Sequence, residues 1–462
     1  MKRAATLLAL GLTGCTLPGK RVAAPPAAAL APPGAWRTDL HRSGPLQAGW
    51  WHAFGDPALT ALVEQALANN VDIQVAAARV EEARAAEALS RAQLLPQIGA
   101  ALPETQGQTL SPFGQPSRAI GAAPTVSASY DLDLFGRLHL ASRAARAQLL
   151  ASEGARDTVR LATIASTASG YITLRALDQR LAIANATLAS REEAQRLARR
   201  RYETGYSSRL EFRQAQAEYS ATAQLVPAAE LAISRQENAL SLLTGRPPGA
   251  IRRRLPLDRI ATPSIPDGLP ADLLRRRPDL YQAEQTLVAA DRSLDSQRAA
   301  MLPNLSLTGS AGLVLSTALS NPVALFSLGA SVLAPIFDGG RLQAQQDAAT
   351  ARRDQAAFAY RRAALVAFRE VDDALAGVRR IEQQATDLAA QTEAARGALQ
   401  NASNRYRAGY SAYLEQLDAQ RSLLTAELAL VQSRTDRLTN YVVLYQAMGG
   451  GWAPADVEGV TR

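Results

Sequence analysis

The chain contains 462 residues, of which 47% are apolar but only 5% aromatic. This composition favours thin, closely packed helices over thick aromatic cores. The single cysteine excludes an intrachain disulfide or a thiolate metal cluster, and the three histidines show no ligand spacing, so we expect no metal and no cofactor. The net charge of +8 is dispersed through helical segments, which argues against nucleic-acid binding.

The first residues have the pattern of a secretory signal. Lys2 and Arg3 precede a short apolar stretch that ends in Leu-Thr-Gly-Cys, which resembles the lipobox of bacterial lipoproteins. We predict a signal peptide at 1–14 and lipid attachment at Cys15; an ordinary signal peptide with an incidental cysteine is the alternative. Residues 15–49 then form a lipid-anchored, Pro/Ala-rich linker. Each buried CH₂ of the lipid would contribute about 0.8 kcal/mol to membrane binding.

The rest of the chain consists of two copies of one sequence unit. Residues 71–98 align with 278–305 at an offset of 207, and RYETGYSSRLEFRQAQ (201–216) aligns with RYRAGYSAYLEQLDAQ (405–420) at an offset of 204. An internal duplication therefore replaces the three domains that the length alone suggests. The predicted segments are repeat 1 at 50–265, repeat 2 at 266–450 and a C-terminal tail at 451–462.

Each repeat opens with a helix that runs up to a proline, at about 58–94 and 270–301. A much longer helix follows, at about 137–200 in repeat 1 and about 341–404 in repeat 2. No proline interrupts these long segments, and their apolar residues recur with coiled-coil spacing. At ~1.5 Å per residue, 64 residues would extend ~96 Å.

A glycine ends each long helix, because Gly205 and Gly409 can adopt the left-handed conformation of a helix terminus. An antiparallel return helix follows each glycine. We expect Pro227 to kink the first return helix.

One pair of strands lies between the helices of each repeat. Residues 304–315 and 325–334 alternate apolar and small polar side chains, which is typical of transmembrane β-strands. Repeat 1 has a clear equivalent at about 125–135 and a weaker one at about 97–105. An open four-stranded sheet cannot exist in lipid, where every backbone N–H and C=O needs a partner. The sheet must therefore be shared between chains; a dimer would supply eight strands and a trimer twelve.

Five motifs in the expected order resemble the TolC/OprM-type outer-membrane efflux proteins, specifically the lipoprotein branch that serves multidrug exporters. They are YDLDLFGR (130–137), NALSLLTGRPPG (238–249), LPADLLRRRPDL (269–280), PIFDGGR (335–341) and RYRAGYSAYLEQLDAQRSLL (405–424). In the third motif, a structural role at the repeat junction is favoured for Arg275, Arg276 and Arg277.

The resemblance implies a mixed α+β membrane protein of the Gram-negative outer membrane. Three chains would form a twelve-stranded β-barrel continuous with a long α-helical periplasmic tunnel. The protein is then no enzyme but a passive exit duct for small molecules, supplied by a periplasmic adaptor (membrane fusion protein) and an inner-membrane RND-type pump. The alternatives are a metal-ion efflux or type I protein-secretion duct, and an elongated structural or adhesive coiled-coil lipoprotein.

A duct needs a gate, and the helix turns are its expected narrowest point. Leu414, Glu415 and Asp418 are spaced to share one helix face, and the resemblance places the closed constriction there; ordinary polar helix positions are the alternative. The resemblance also implies a latch between neighbouring hairpins, formed by Tyr406 and Glu211. The exposed turns are predicted adaptor-docking tips, with local capping roles as the alternative; their residues are Gly205, Tyr206, Ser207, Gly409, Tyr410 and Ser411.

Overall fold

A computed structural model describes residues 24–38, 44, 46, 48–110, 113–114, 116–317 and 319–453. The predicted signal peptide and Cys15 lie outside the described residues. Two compact units are present. The described parts of 24–30, 78–153 and 282–362 form the sheet unit, and those of 31–77, 154–281 and 363–453 form the helical unit. Each repeat contributes a similar stretch to both units, because the boundary at residue 78 of repeat 1 corresponds to residue 285, three positions from the boundary at 282 in repeat 2.

Nine α-helices occur in the described residues. They are α1 (Pro57–Asn69), α2 (Val71–Ala92), α3 (Arg137–Glu203), α4 (Arg209–Ala223), α5 (Leu225–Leu243), α6 (Pro270–Arg276), α7 (Pro278–Ala299), α8 (Arg341–Arg407) and α9 (Tyr413–Ala447). The two long helices, α3 and α8, contain 67 residues each, three more at their C-terminal ends than predicted. In the described ranges, no helix combines the length and apolar character needed to cross a membrane.

The first helix of each repeat is broken, where we predicted it to be continuous. Asn70 separates α1 from α2, and Arg277 separates α6 from α7. The first return helix is also broken, at Gln224 between α4 and α5. This last break agrees with the kink expected at Pro227, because a proline lacks the N–H and its ring clashes with the carbonyl four residues earlier.

The two breaks in the opening helices are equivalent junctions. In repeat 1, the buried Asn70 side chain donates to the Leu243 carbonyl (2.9 Å) and caps α2 by accepting from the Ile73 N–H (3.1 Å). In repeat 2, the buried Arg277 donates to the Ala447 carbonyl (3.0 Å). In both repeats, the break in the opening helix is thus bonded to the C-terminal end of the return helix, through Asn70 in repeat 1 and Arg277 in repeat 2.

Arg277 is further held by two carboxylates, Asp279 (2.8 Å) and Glu370 (2.7 Å). Burial lowers the pKa of this guanidinium, but the two ion pairs outweigh it and raise the pKa above its ordinary value. Arg275 and Arg276 are exposed. Only the third arginine of the motif therefore has a buried, structural environment.

Six strand segments form one antiparallel sheet: β1 (Gln97–Ala101), β2 (Glu104–Leu110), β3 (Pro116–Ala122), β4 (Thr125–Asp131), β5 (Asn304–Ser316) and β6 (Val323–Leu333). The hydrogen-bonded order is β1-β4-β5-β6, and β2 pairs with β3, which reaches β5 through Gly121 and Ala122. The strands of repeat 2 agree with the prediction to within two residues.

The strands of repeat 1 were predicted too short and with the wrong ends. β1 and β2 together cover 97–110, interrupted at Pro103, and β3 and β4 cover 116–131, interrupted at Pro124. The prolines lie at the same level, since the Ala123 N–H donates to the Pro103 carbonyl (2.9 Å). A proline cannot donate to a sheet, so each long strand is interrupted there. The described residues thus supply four strands, two of them interrupted at a proline.

The sheet has one polar face and one apolar face. Ser127, Ser310 and Ser327 are in register on β4, β5 and β6, and the hydroxyls of the last two are 2.8 Å apart. Directly paired residues project to the same face, so this row belongs to a face of small polar side chains. The adjoining row, Val126, Ala311 and Phe326, belongs to the apolar face.

A glycine closes each helix junction at a close backbone approach. Gly245 (φ +65°) and Gly449 (φ +92°) are related by the repeat offset, and a Cβ on either would lie 2.3 Å from the Asn69 carbonyl oxygen or 1.9 Å from that of Arg276. A side chain at either position would therefore clash with a backbone carbonyl. Its residue would also have to adopt the left-handed conformation, which is unfavourable for residues other than glycine.

We expect Gly449→Ala to lower the free energy of unfolding by about 2 kcal/mol or more, because it adds a backbone clash to the ~1–2 kcal/mol cost of left-handed alanine. Gly397→Ala is the matched control, since Gly397 is exposed within α8 with no atom within 4 Å of a new Cβ. That change should stabilise by ~0.5–1 kcal/mol. Thermal unfolding followed by circular dichroism measures the stability of both variants. Equal shifts of the melting temperature would contradict the close backbone approach at Gly449.

Candidate gate, latch and docking tips

The two helix turns have the same backbone geometry. Gly205 (φ +79°) and Gly409 (φ +82°) are left-handed. In the first turn, the N–H groups of Gly205 and Tyr206 donate to the carbonyls of Tyr202 (3.1 Å) and Arg201 (2.7 Å). The second turn repeats both bonds through residues 204 positions later. This double bond pattern around a left-handed glycine is the Schellman motif, which satisfies the last carbonyls of each long helix.

The predicted tip residues present an aromatic side chain outward. Tyr206 is 85% exposed and Tyr410 is 81% exposed. The hydroxyls of Ser207 and Ser411 point inward and, within the described part of the chain, have no hydrogen-bond partner. An exposed tyrosine on a fixed turn offers a contact surface at little cost in conformational entropy. Docking at these tips stays a prediction.

The return helices begin differently in the two repeats. Ser208 caps α4, because its hydroxyl accepts from the Glu211 N–H (3.3 Å). Ala412 occupies the equivalent position before α9 and provides no side-chain cap.

The structure brings together the two residues of the predicted latch. The hydroxyl of Tyr406, on α8, donates a hydrogen bond to Glu211 on α4. The contact therefore joins the hairpin of repeat 1 to that of repeat 2. Tyr406 is 1% exposed, and burial, reinforced by the Glu211 carboxylate, raises the pKa of its hydroxyl well above the ordinary value. The donor proton is thus retained throughout the physiological pH range.

Neighbouring groups fix the Tyr406 ring. The Arg201 guanidinium lies 4.4 Å from the ring centroid and donates to the Tyr406 carbonyl (2.9 Å). The ring also contacts Tyr413, with centroids 5.6 Å apart. Small and apolar side chains complete this buried cluster: Ala194, Ala198, Ala215 and Leu417.

The three predicted gate residues share one exposed face of α9. Leu414 is 62% exposed, and Glu415 and Asp418 are also exposed. The opposite face of the same turns is buried through Tyr413 and Leu417. Arg405 lies 3.8 Å from Glu415. The geometry can therefore present a carboxylate-bearing face away from the hairpin core, while its role as a constriction stays a prediction.

Sequence reasoning missed a buried ionic cluster near the latch. Arg191, on α3, is 1% exposed, donates to Gln420 on α9 and lies 3.5 Å from Glu218 on α4. Glu218 also pairs with Arg421. Burial lowers the pKa of Arg191, and the Glu218 carboxylate opposes this effect. The cluster therefore joins three helices of the two hairpins.

Little in the sequence could have revealed this cluster. Arg191 precedes two glutamates within a charged stretch, which is typical of a solvated helix face. Gln420 and its repeat counterpart Gln216 were visible in the alignment but gave no sign of a partner. Among the described residues, no group of His, Cys, Asp and Glu side chains is arranged to hold a metal ion.

Comparison with known proteins gives consistent relatives. The model of the outer membrane efflux protein family matches residues 62–246 and again 269–450. The chain is 34% identical to the pyoverdine export outer membrane protein OpmQ of Pseudomonas aeruginosa, over 89% of each chain. It is also 34% identical to TtgC of Pseudomonas putida, a probable efflux pump outer membrane protein, over 97% of this chain and 96% of the relative.

The fold is similar to that of a solved outer-membrane channel, OprN. The TM-score is 0.84 at 29% sequence identity, covering 93% of this chain and 99% of OprN. The mixed helical and sheet architecture expected from the resemblance is therefore confirmed.

We expect Tyr406→Phe to lower the free energy of unfolding by about 1–3 kcal/mol, because the half-buried Glu211 carboxylate loses its donor. Tyr202→Phe is the matched control from the other repeat, since Tyr202 stacks on Phe212 through its ring, with centroids 5.8 Å apart. Thermal denaturation of both variants measures the difference. If the two melts coincide, the hydrogen bond does not join the hairpins.

Proposed function

The chain belongs to the outer membrane efflux protein family and is an outer-membrane component of an efflux system, and from this premise we propose that it forms a passive exit duct for small molecules. The observation that carries the proposal is the sheet unit. Its four strands have one face of small hydroxyls and one apolar face, as a pore wall in lipid requires. An elongated adhesive coiled coil has no use for such a sheet.

We propose that three copies close the sheet. Among the described residues, β1 pairs only with β4, and β6 only with β5, so each has an unpaired edge. In lipid those edges need partners, and β6 of one copy can supply them to β1 of the next. Three copies give twelve strands. Two give eight, a size whose interior side chains fill.

The duct requires a gate at its periplasmic end. Leu414, Glu415 and Asp418 face away from the hairpin core. Three copies would therefore place the Glu415 and Asp418 carboxylates around one axis. Like charges held close together repel, and they favour counter-cations or shared protons. The contact of Tyr406 with Glu211 would hold the hairpins of one chain together while the gate is closed. Opening then consists of breaking a few such contacts rather than unfolding a helix.

The partners we propose are a periplasmic adaptor of the membrane fusion type, docked at the two turns, and an inner-membrane RND-type pump that supplies the energy. We assign no catalytic residue to this chain. The relatives named above serve pyoverdine export and efflux, which supports a small-molecule cargo chosen by the pump. A metal-ion or protein-secretion duct is the second candidate within the same design. We also propose that Cys15 carries the lipid anchor.

Assembly should depend on which face of β6 is changed. We expect Leu328→Arg to destabilise the assembled sheet by about 2–4 kcal/mol, because Leu328 lies on the apolar face, is 88% exposed in the single chain and would contact lipid. Ser327→Arg, one residue earlier, places the same charge on the polar face and should be tolerated. Heat-modifiable migration of the outer-membrane protein measures assembly. Equal loss in both variants would contradict the assignment of faces.

The gate and latch predict a leak. We expect Asp418→Ala and Glu211→Ala to raise the resting conductance of the reconstituted channel several-fold, because each removes a group that holds the closed end. Gln214→Ala is the control, since Gln214 is the counterpart of Asp418 in repeat 1. Planar-bilayer recordings measure the conductance, and unchanged values in both test variants would count against the gate.

A further inference from the structure

The two tips share their turn geometry but differ in charge. Between 197 and 214, the first tip carries five arginines and two glutamates. Between 401 and 418, the equivalent stretch of the second tip carries two arginines, Glu415 and Asp418. The two repeats therefore share the turn, but the first tip is basic and the second is neutral.

Four arginines produce the difference, and all are exposed: Arg199, Arg200, Arg209 and Arg213. Within the part of the chain that the structure describes, no carboxylate lies within ion-pair distance of any of them. Their counterparts in the second tip carry no charge, and two of these are buried: Ser403, Asn404, Tyr413 and Leu417. The positive charge thus belongs to the surface of the first tip alone.

Side-chain contacts also order the first tip. Tyr202 and Phe212 stack across its two helices with ring planes 8° apart, and the Arg199 guanidinium lies 5.7 Å from the Phe212 centroid. Arg213 is held by the neutral Gln216 side chain (2.8 Å). A preformed surface loses less conformational entropy when it binds a partner.

Like charges placed close together on a fixed surface repel, so this arrangement favours a counter-charge from another molecule. Of the four acids in the two tips, Glu211 accepts from Tyr406 and Glu415 pairs with Arg405. A second copy of the tip region therefore offers only Glu203 and Asp418 against five arginines. A partner protein with carboxylates at its contact end fits the charge better.

We propose that the first tip, residues 197–214, binds the acidic end of a helical hairpin of the partner protein, with Tyr206 at the centre of the contact and arginines around it. The second tip, residues 401–418, binds without this charge contribution. The inference rests on the proposed docking of an adaptor at the turns. It adds that the two tips are not equivalent docking sites, and that only the first is sensitive to salt.

The test uses the full-length protein in lipid nanodiscs and two synthetic antiparallel helical-hairpin peptides, one with glutamates in its turn and one with glutamines. Fluorescence anisotropy measures their affinities. We expect Arg200→Ser with Arg209→Ser to weaken binding of the glutamate peptide about fivefold at low salt, and the difference to vanish near ~0.5 M NaCl. Arg405→Ser with Arg407→Ser removes the same charge from the second tip and should change the affinity little.

The double variant Arg200→Lys with Arg209→Lys keeps the positive charge, so it should retain binding. It thereby distinguishes a loss of charge from a disturbed fold as the cause of weaker binding. Equal weakening by the two serine pairs, or equal binding of both peptides, overturns the proposal. Dissociation of the assembly by the first serine pair also overturns it, because the arginines would then face a second copy. Bilayer conductance tests the proposed duct separately from this inference. A variant that loses peptide binding but still conducts contradicts nothing in the duct proposal and concerns the docking site alone.

Discussion

The structure depends on one constraint, which is that backbone N–H and C=O groups within lipid must be hydrogen-bonded. The described residues of a single chain supply four strands and leave the outer edges of β1 and β6 unpaired. They also leave apolar side chains such as Phe326 and Val332 largely exposed. Both deficits have the same remedy, which is pairing with further copies so that the edges meet and the apolar face contacts lipid.

Duplication meets this constraint economically, because one sequence pattern provides both hairpins of strands and both hairpins of helices. The turns at Gly205 and Gly409 keep the same two Schellman hydrogen bonds, and the junctions at Gly245 and Gly449 keep the same close approach. Both repeats also keep a tyrosine and a glutamate at the latch positions, Tyr202 and Glu211 in repeat 1 and Tyr406 and Glu415 in repeat 2. The latch takes its tyrosine from repeat 2 and its carboxylate from repeat 1, and it thereby joins the two hairpins.

Features set by local chemistry could be predicted from the sequence. The proline-free stretch after Arg137, the glycines that end the long helices and the alternation at 304–315 each leave a local signal, and the structure agrees there. The kinks at Pro103 and Pro124 were missed, because Gln, Gly and charged residues obscure the alternation of β2 and β3. The breaks at Asn70 and Arg277 and the buried Arg191 could not be predicted, since each depends on a partner more than 90 residues away or on another helix.

Disulfide cross-linking between strand edges tests the shared sheet most directly. Ile98→Cys on β1 is combined in turn with Leu328→Cys, Ala330→Cys or Val332→Cys on β6, and each single variant, with Cys15 in place, serves as its control. After oxidation in the membrane, the account predicts covalent ladders that end at three chains for at least one pair. Ladders that end at two chains, or cross-links formed only within one chain, would contradict it.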